Sequence, residues 1–215
     1  MKLNTNKLID IALNEDAVGR DVTTDILIPK THTSVAYIVA KEKTVLSGIH
    51  IISEVYKRID PKLRVKNLYN DGKRVSANTK IAEISGRTRS ILRGERIALN
   101  FLTHLCGIAP LTDQFVQKAK GTKAKILDTR KTLPGLRDLE KYAVRCGGGT
   151  NHRLNLNEMV MIKDNHINAI KKNMSLGQMI QKVQKKRKAV EVEVTSLKEF
   201  RQACKAKPDI ILLDN

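Results

Sequence analysis

The sequence predicts an α/β protein in two parts. An N-terminal α+β, sandwich-like domain spans residues 1–110, and a β/α barrel domain spans 111–215, incomplete at its C-terminal side. Three observations predict this. After residue 111, short apolar runs alternate with amphipathic helical stretches: Lys125–Leu127, Met159–Ile162, Val190–Val194 and Ile210–Leu213. That rhythm belongs to βα units and a parallel sheet with right-handed crossovers. Charged residues gather where those runs end, as Asp128-Thr129-Arg130-Lys131 and Lys163-Asp164-Asn165-His166, and a β/α barrel carries its function at the C-terminal ends of its strands. The first half lacks the rhythm and mixes two helical stretches with hairpin-like strands.

Taken in order, residues 3–13 read as a short amphipathic helix, and the acidic, threonine-rich 15–25 as a loop. Ser34–Ala40 reads as a strand. A helix starts at Ser47-Gly48 with Ile51, Ile52, Val55 and Ile59 on its apolar positions, and Pro61 closes it. Leu63–Asn70 reads as a strand, Asp71-Gly72 as a turn, and Val75–Ile84 as renewed β structure up to Gly86. Ile91–Cys106 is a long apolar helix on which Arg96, Asn100 and His104 share a face at i, i+4, i+8. For Asn100 and His104 a satisfied polar seam in a helix-packed interface is the preferred reading.

A second helix is predicted over Leu111–Ala119, and a third with Pro134 in its first turn, Leu136, Leu139 and Ala143 on one face, and Gly147-Gly148-Gly149 at its end. Ser175 with Gln178 and Ser196 with Glu199 form capping boxes for two more helices. The first buries Leu176, Met179, Ile180 and Val183 and ends on Lys185-Lys186-Arg187-Lys188, read as a solvated helix terminus favoured by the dipole. In Val190–Val194 the valines occupy one face and Glu191 and Glu193 the other.

The cations at the strand ends need a ligand. Arg130, Lys131, Arg153 and Lys163 would repel one another if they converged around nothing. Arginine offers a planar fork matched to carboxylate or phosphate, and lysine a compact charge. Solvation is the usual fate of such residues, but strand ends are not helix outer faces, and the pattern points to an anionic small molecule.

Composition narrows the classes. The 215 residues are 41% hydrophobic, enough for a real core, and carry a net charge of +18. Such a charge raises nucleic acid as a partner. Aromatics are only 3%, too few for a stacking platform, and lysine is spread along the chain. No specific nucleic-acid role is therefore predicted. No run is long enough to cross a membrane, and MKLNTNKLID is too polar for a signal peptide. Cys106, Cys146 and Cys204 are odd in number and form no CxxC, which argues against a disulfide or zinc framework and for free thiols in the cytoplasm.

The stretches DTRKTLPGLRDLEKYAVRCGGGTNHR and MIKDNH resemble the signature of the quinolinate phosphoribosyltransferase family. GERIALNFL, VEVEV, ILLDN and the early EDAVGRDVTTD are similar to further blocks of that family, in its order. The resemblance implies transfer of phosphoribosyl from phosphoribosyl pyrophosphate to quinolinate with decarboxylation, yielding nicotinate mononucleotide, pyrophosphate and CO₂ for NAD biosynthesis. It implies that Arg130, His152, Arg153, Lys163 and a partner's Arg96 bind the diacid and that Lys131 faces the phosphates. Glu193 and Asp214 would hold the ribose hydroxyls and Mg²⁺, with Glu193 stabilising charge on the sugar. Arg96 reaching into a neighbouring subunit implies a homodimer or a larger assembly of dimers.

For Glu191 an ion pair is preferred. His166 is read as ligand or helix cap, and Asp128 as orienting Arg130 or Lys131. The chain stops on a strand with no helix over it, and the family's glycine-rich phosphate loops are not among these residues. A truncated or fragmentary subunit is the expectation. A paralogous protein linked to molybdenum transport and a truncated inactive subunit stay open as alternatives.

Overall fold

The computed structural model describes residues 2–186 and 188–214. Arg187 of the predicted basic run and Asn215 of the final Asp-Asn pair therefore lie outside the described residues. The elements are α1 (Lys2–Glu15), α2 (Val22–Leu27), β1 (Thr33–Ala40), β2 (Thr44–Val45), α3 (Ile49–Ile59), β3 (Arg64–Asn67), β4 (Arg74–Val75), β5 (Thr79–Arg87), α4 (Thr88–Ala119), α5 (Arg137–Cys146), β6 (Val160–Ile162), α6 (Asp164–Ile170), α7 (Leu176–Gln184), β7 (Val190–Val194), α8 (Leu197–Ala206) and β8 (Ile210–Leu213). They divide into two compact units between His152 and Arg153. The predicted division at 110/111 falls inside α4.

In the first unit β1, β5 and β3 form an antiparallel sheet with β5 central, and β2 pairs with β4. The sheet packs on α3 and α4, as expected for an α+β layer. The α3 positions chosen for their spacing go inward: Ile51, Ile52 and Val55 are fully buried, and Ile59 packs at the edge of the same core. Leu139 and Ala143 of α5 join that core, which ties α5 to the first unit.

Four local predictions change. The 15–25 loop instead contains a 3₁₀ turn, Val18–Arg20, and the start of α2. Asp21 caps α2 by accepting from Thr24 N–H at 3.0 Å, an acid-plus-threonine signal that composition alone reads as a loop. The helices predicted over 91–106 and 111–119 are one helix, α4, running through Pro110. Proline cannot donate to the carbonyl four residues back. That carbonyl, of Cys106, accepts from Thr44 Oγ1 at 3.4 Å instead, and the helix continues.

Pro134 is not in the first turn of α5. Leu133–Leu136 form a tight turn, with Leu136 N–H donating to Leu133 C=O at 3.1 Å and Gly135 at φ +80°. Proline then glycine at the two central positions is a type II signature, and the helix starts only at Arg137. The strand predicted at Lys125–Leu127 reduces to a single parallel bridge, Leu127 to Thr150. Gly147 ends α5, where a Cβ would lie 2.3 Å from the Ala109 carbonyl oxygen, so the α5 terminus meets α4 at backbone contact.

In the second unit β6, β7 and β8 form a parallel sheet in that order, with α6–α7 and α8 as crossovers. No closed barrel is found among the described residues. Val190, Val192 and Val194 are buried against Met179 and Ile180 of α7 and Ala203 of α8. One face of the sheet is thus covered by helices, and the alternation of β7 sends its glutamates to the other. Ser175 caps α7 with the predicted reciprocal bond to Gln178. At α8, Ser196 accepts from Glu199 N–H, but the Glu199 carboxylate accepts from Thr195 N–H rather than from that of Ser196, so the box is shifted by one residue.

Candidate active site

The two units hold different parts of the predicted constellation. Arg96, Arg130, Lys131 and His152 belong to the first, and Arg153, Lys163, Glu193 and Asp214 to the second.

In the second unit the parallel register does the positioning. Ile162 is level with Val192, and Val194 with Leu213. The residues Lys163, Glu193 and Asp214 therefore lie at the C-terminal edge of three neighbouring strands. Lys163 Nζ lies 3.1 Å from Glu193 Oε2, with the glutamate side chain 13% exposed and the lysine 40%. Asp214 is exposed, and its N–H donates to Val194 C=O at 3.1 Å. Arg153 Nη1 donates to the carbonyl of Met159, just before β6, at 3.0 Å. Glu191, on the same face as Glu193, is buried at 4%. His166 Nδ1 accepts from Lys163 N–H at 3.0 Å, which makes it a cap of α6.

In the first unit Arg130 and Lys131 follow the short bridged segment 126–128. Lys131 is exposed and Arg130 half-buried. Arg130 Nε is buried and has no hydrogen-bond partner among the described residues. Their loop is held by its own side chains: Lys131 N–H donates to Thr129 Oγ1 at 3.0 Å, and Arg137 Nε donates to Thr132 Oγ1 at 3.1 Å. Glu140 accepts from Leu133 N–H at 3.3 Å with one oxygen and contacts His104 Nε2 at 3.0 Å with the other. His104 is thus a satisfied side chain, as preferred from the sequence. Asn100 is exposed, and both line a cleft of about 260 Å³ between α1, α4 and α5, to which neither Arg130 nor Lys131 contributes. Arg96 lies exposed on α4.

Asp128 does not pair with Arg130 or Lys131 as the sequence suggested. Its carboxylate accepts from Lys141 Nζ, from His152 N–H at 2.8 Å and from Asn151 Nδ2 at 2.5 Å. Lys141 is buried at 2%. The sequence reading passes over Lys141, because a lysine between Glu140 and Tyr142 on a helix looks like solvated surface. The available signal was its spacing, two residues from both Leu139 and Ala143, on a helix apolar along the opposite side.

The chain matches the family "Quinolinate phosphoribosyl transferase, N-terminal domain" over residues 21–106 and "Quinolinate phosphoribosyl transferase, C-terminal domain" over residues 108–215. It is 42% identical over 190 residues to a "Probable nicotinate-nucleotide pyrophosphorylase [carboxylating]" of Synechocystis, which covers 86% of this chain and 62% of the relative. A protein of the same description from Methanocaldococcus jannaschii is 41% identical over 211 residues, covering 97% of this chain and 73% of the relative. The solved nicotinate-nucleotide pyrophosphorylase of Francisella tularensis superposes with a TM-score of 0.94 at 39% identity, over 100% of this chain and 76% of that one. The chain belongs to the quinolinate phosphoribosyl transferase family.

Proposed function

We propose that this chain acts in the transfer of phosphoribosyl from phosphoribosyl pyrophosphate to quinolinate, with loss of CO₂, to give nicotinate mononucleotide in NAD biosynthesis, as a Mg²⁺-dependent cytoplasmic homodimer. The observation that carries it is the row of Lys163, Glu193 and Asp214 at the C-terminal ends of three neighbouring parallel strands. In a β/α architecture that edge is where substrates bind. Opposite charges side by side there suit a substrate pair that is anionic before reaction and cationic at the sugar during it.

The cations Arg130, Arg153, Lys163 and a partner copy's Arg96, with His152, take the two carboxylates of the diacid, and Lys131 faces the phosphates. A carboxylate oxygen would satisfy the buried, unpartnered Arg130 Nε. The pyridine nitrogen attacks ribose C1 as the C1–O bond to pyrophosphate breaks and its electron pair leaves with pyrophosphate. Glu193 stabilises the positive charge that builds on the sugar. The C2 carboxylate then departs as CO₂, its bonding pair stays at C2 beside the pyridinium nitrogen, and a proton replaces it.

Glu193 and Asp214 are hard oxygen donors on adjacent strands, and magnesium held largely by substrate phosphates asks for one or two such carboxylates. They would hold that ion, whose chemistry is to neutralise the pyrophosphate oxygens. Among the described residues no helix is long and apolar enough to cross a membrane.

Titration calorimetry with quinolinate tests the reading. Quinolinate should bind, and Arg153→Ala should weaken binding by about ten- to a hundred-fold, the worth of charged hydrogen bonds. Nicotinate, with one carboxylate fewer, should bind more weakly by a similar factor. Absence of heat at millimolar quinolinate, or equal affinity for the two acids, would reject it.

A further inference from the structure

Lys141 is a buried charge that the reaction above does not use. On α5, Leu139 and Ala143 are separated by one turn and point into the core. Lys141, two residues from each, projects roughly opposite, at about 200° of helical rotation. A residue there would ordinarily be solvated, yet its ammonium-bearing side chain is 3% exposed and that of its partner Asp128 is 8% exposed. A second wall therefore covers α5, built from the chain around Asp128 and Asn151-His152.

That wall has little main-chain pairing of its own. It consists of one bridge, with Thr150 N–H donating to Ile126 C=O at 2.8 Å and Asp128 N–H donating to Thr150 C=O at 3.2 Å. Side chains supply the rest. Asp128 Oδ1 accepts from His152 N–H at 2.8 Å, while Lys141 Nζ donates to His152 C=O at 2.9 Å and also to Asp128. The backbone of His152 is gripped on both sides by one ion pair. Asn151 donates to Asp128 at 2.5 Å and to the Lys141 carbonyl at 2.8 Å, and accepts from Arg145 Nη1. A buried ion pair is weak evidence for stability, because apolar residues of the same volume often serve as well. The geometry gives it another use.

We propose that Lys141 is a positioning residue for the diacid site: with Asp128 it locks the backbone of His152 to the segment that delivers Arg130, so that imidazole and guanidinium are presented in fixed register. The inference rests on the reading that His152 and Arg130 meet the diacid. Lys141 touches no substrate itself. Its ammonium bonds both Asp128, two residues before Arg130, and the His152 carbonyl. Without it the two arms keep the bridge and the bonds that Asp128 makes to Asn151 and to the His152 N–H.

Calorimetry separates this role from a merely structural one, since it reports the competent fraction and the affinity independently. Lys141→Met keeps the stem and removes the charge. Lys141→Gln keeps a donor for the His152 carbonyl. The expected result is a quinolinate Kd raised at least tenfold in Lys141→Met at unchanged stoichiometry, with Lys141→Gln in between. If Lys141→Met does not fold, the Lys141→Gln comparison decides, and exchange of the wild-type His152 amide needs no variant: it should be strongly protected. Unchanged Kd with only the competent fraction or the melting temperature lowered would overturn the inference, as would a His152 amide exchanging like that of an open loop. If the wild type gives no heat with quinolinate, the functional reading itself fails and this one falls with it. If the wild type binds and both variants bind equally well, only the role of Lys141 is lost.

Discussion

At the scale of single residues, burial sets what the side chains can do. The Cys106 thiol is pushed up to about 11 by burial, and Cys146 is raised for the same first reason. Cys106 also shares Ser47 through two bonds of 3.4 Å, one from the Ser47 N–H and one to its carbonyl. The thiolate is the reactive form, so at pH 8 only about one Cys106 in a thousand is ionised. Cys204 lies exposed on α8. Iodoacetamide at pH 8 should therefore label Cys204 in the folded protein and reach Cys106 and Cys146 only after denaturation, as peptide mass spectrometry would show. Labelling of Cys106 at the rate of Cys204 would contradict the packing of α4 against Ser47. The same principle separates the placements that are legible in the sequence from those that are not. Lys163 and Glu193 were readable because each follows or lies within an apolar run that can only be a strand. Lys141 was not, because its burial comes from a wall made by residues that are distant in sequence.

At the scale of elements, the start of α3 is held by an acid from elsewhere in the chain. Gly48, at the start of α3, has no side chain to cap with. Asp71 takes that role across the turn: Oδ1 accepts from Ile49 N–H at 2.9 Å, and Oδ2 engages His50 Nδ1 at 3.0 Å and Tyr142 OH at 2.7 Å. Burial alone would raise the Asp71 carboxyl, but the bonds from His50, Ile49 and Tyr142 outweigh it and hold it below its ordinary 3.8. Burial, and after it the same carboxylate, push the Tyr142 phenol far up. Asp21, through Thr24, and Asp113, through Arg74, are lowered as well.

A depressed carboxyl stabilises the fold above its unfolded value and loses that contribution as pH falls through the folded value. Thermal stability of the first unit should thus be flat from pH 7 to 5 and fall below about pH 4. Asp71→Ala leaves Ile49 N–H, Tyr142 OH and His50 without their acceptor, at a cost of about 2–3 kcal/mol. That is roughly 5–10 °C in melting temperature for a chain of this size, and the acid slope should become shallower. Calorimetric melting between pH 3 and 7 checks both. An Asp71→Ala protein with wild-type stability would show that α3 needs no external cap. This arrangement was half visible: Asp71-Gly72 was readable as a turn, but its partners Ile49 and Tyr142 stand 22 and 71 residues away.

At the scale of the whole molecule, the proposed pairing of Arg96 with a sister copy has a direct consequence. Arg96→Ala and Glu193→Gln subunits, each inactive in the transfer reaction alone, should regain activity when unfolded together and refolded. Half the dimers are then mixed, and each has one site with both residues, so about a quarter of wild-type turnover is expected. A mixture as inactive as its components would place Arg96 in its own subunit's site or outside any site. The net charge of +18 belongs to this scale too. Spread over both units rather than gathered in one stripe, it should make quinolinate affinity fall with added salt, as exposed charges are screened within about 8–10 Å at 0.1–0.15 M.

What could be read from the residue order was local and periodic. The strands at 160–162, 190–194 and 210–213, the amphipathic α3, the Ser175 cap and the placing of Lys163 and Glu193 at strand ends follow from alternation, helical spacing and capping chemistry, which act over a few residues. Folding settled what depends on distant partners. Pro110 stays inside a helix because Thr44 satisfies the Cys106 carbonyl, and residues 125–127 keep a single bridge, to Thr150, among the described residues. Lys141 becomes an interior ion because Asp128 and His152 close over it. Periodicity reports which face of an element is apolar. It carries no information about what comes to rest on the polar one.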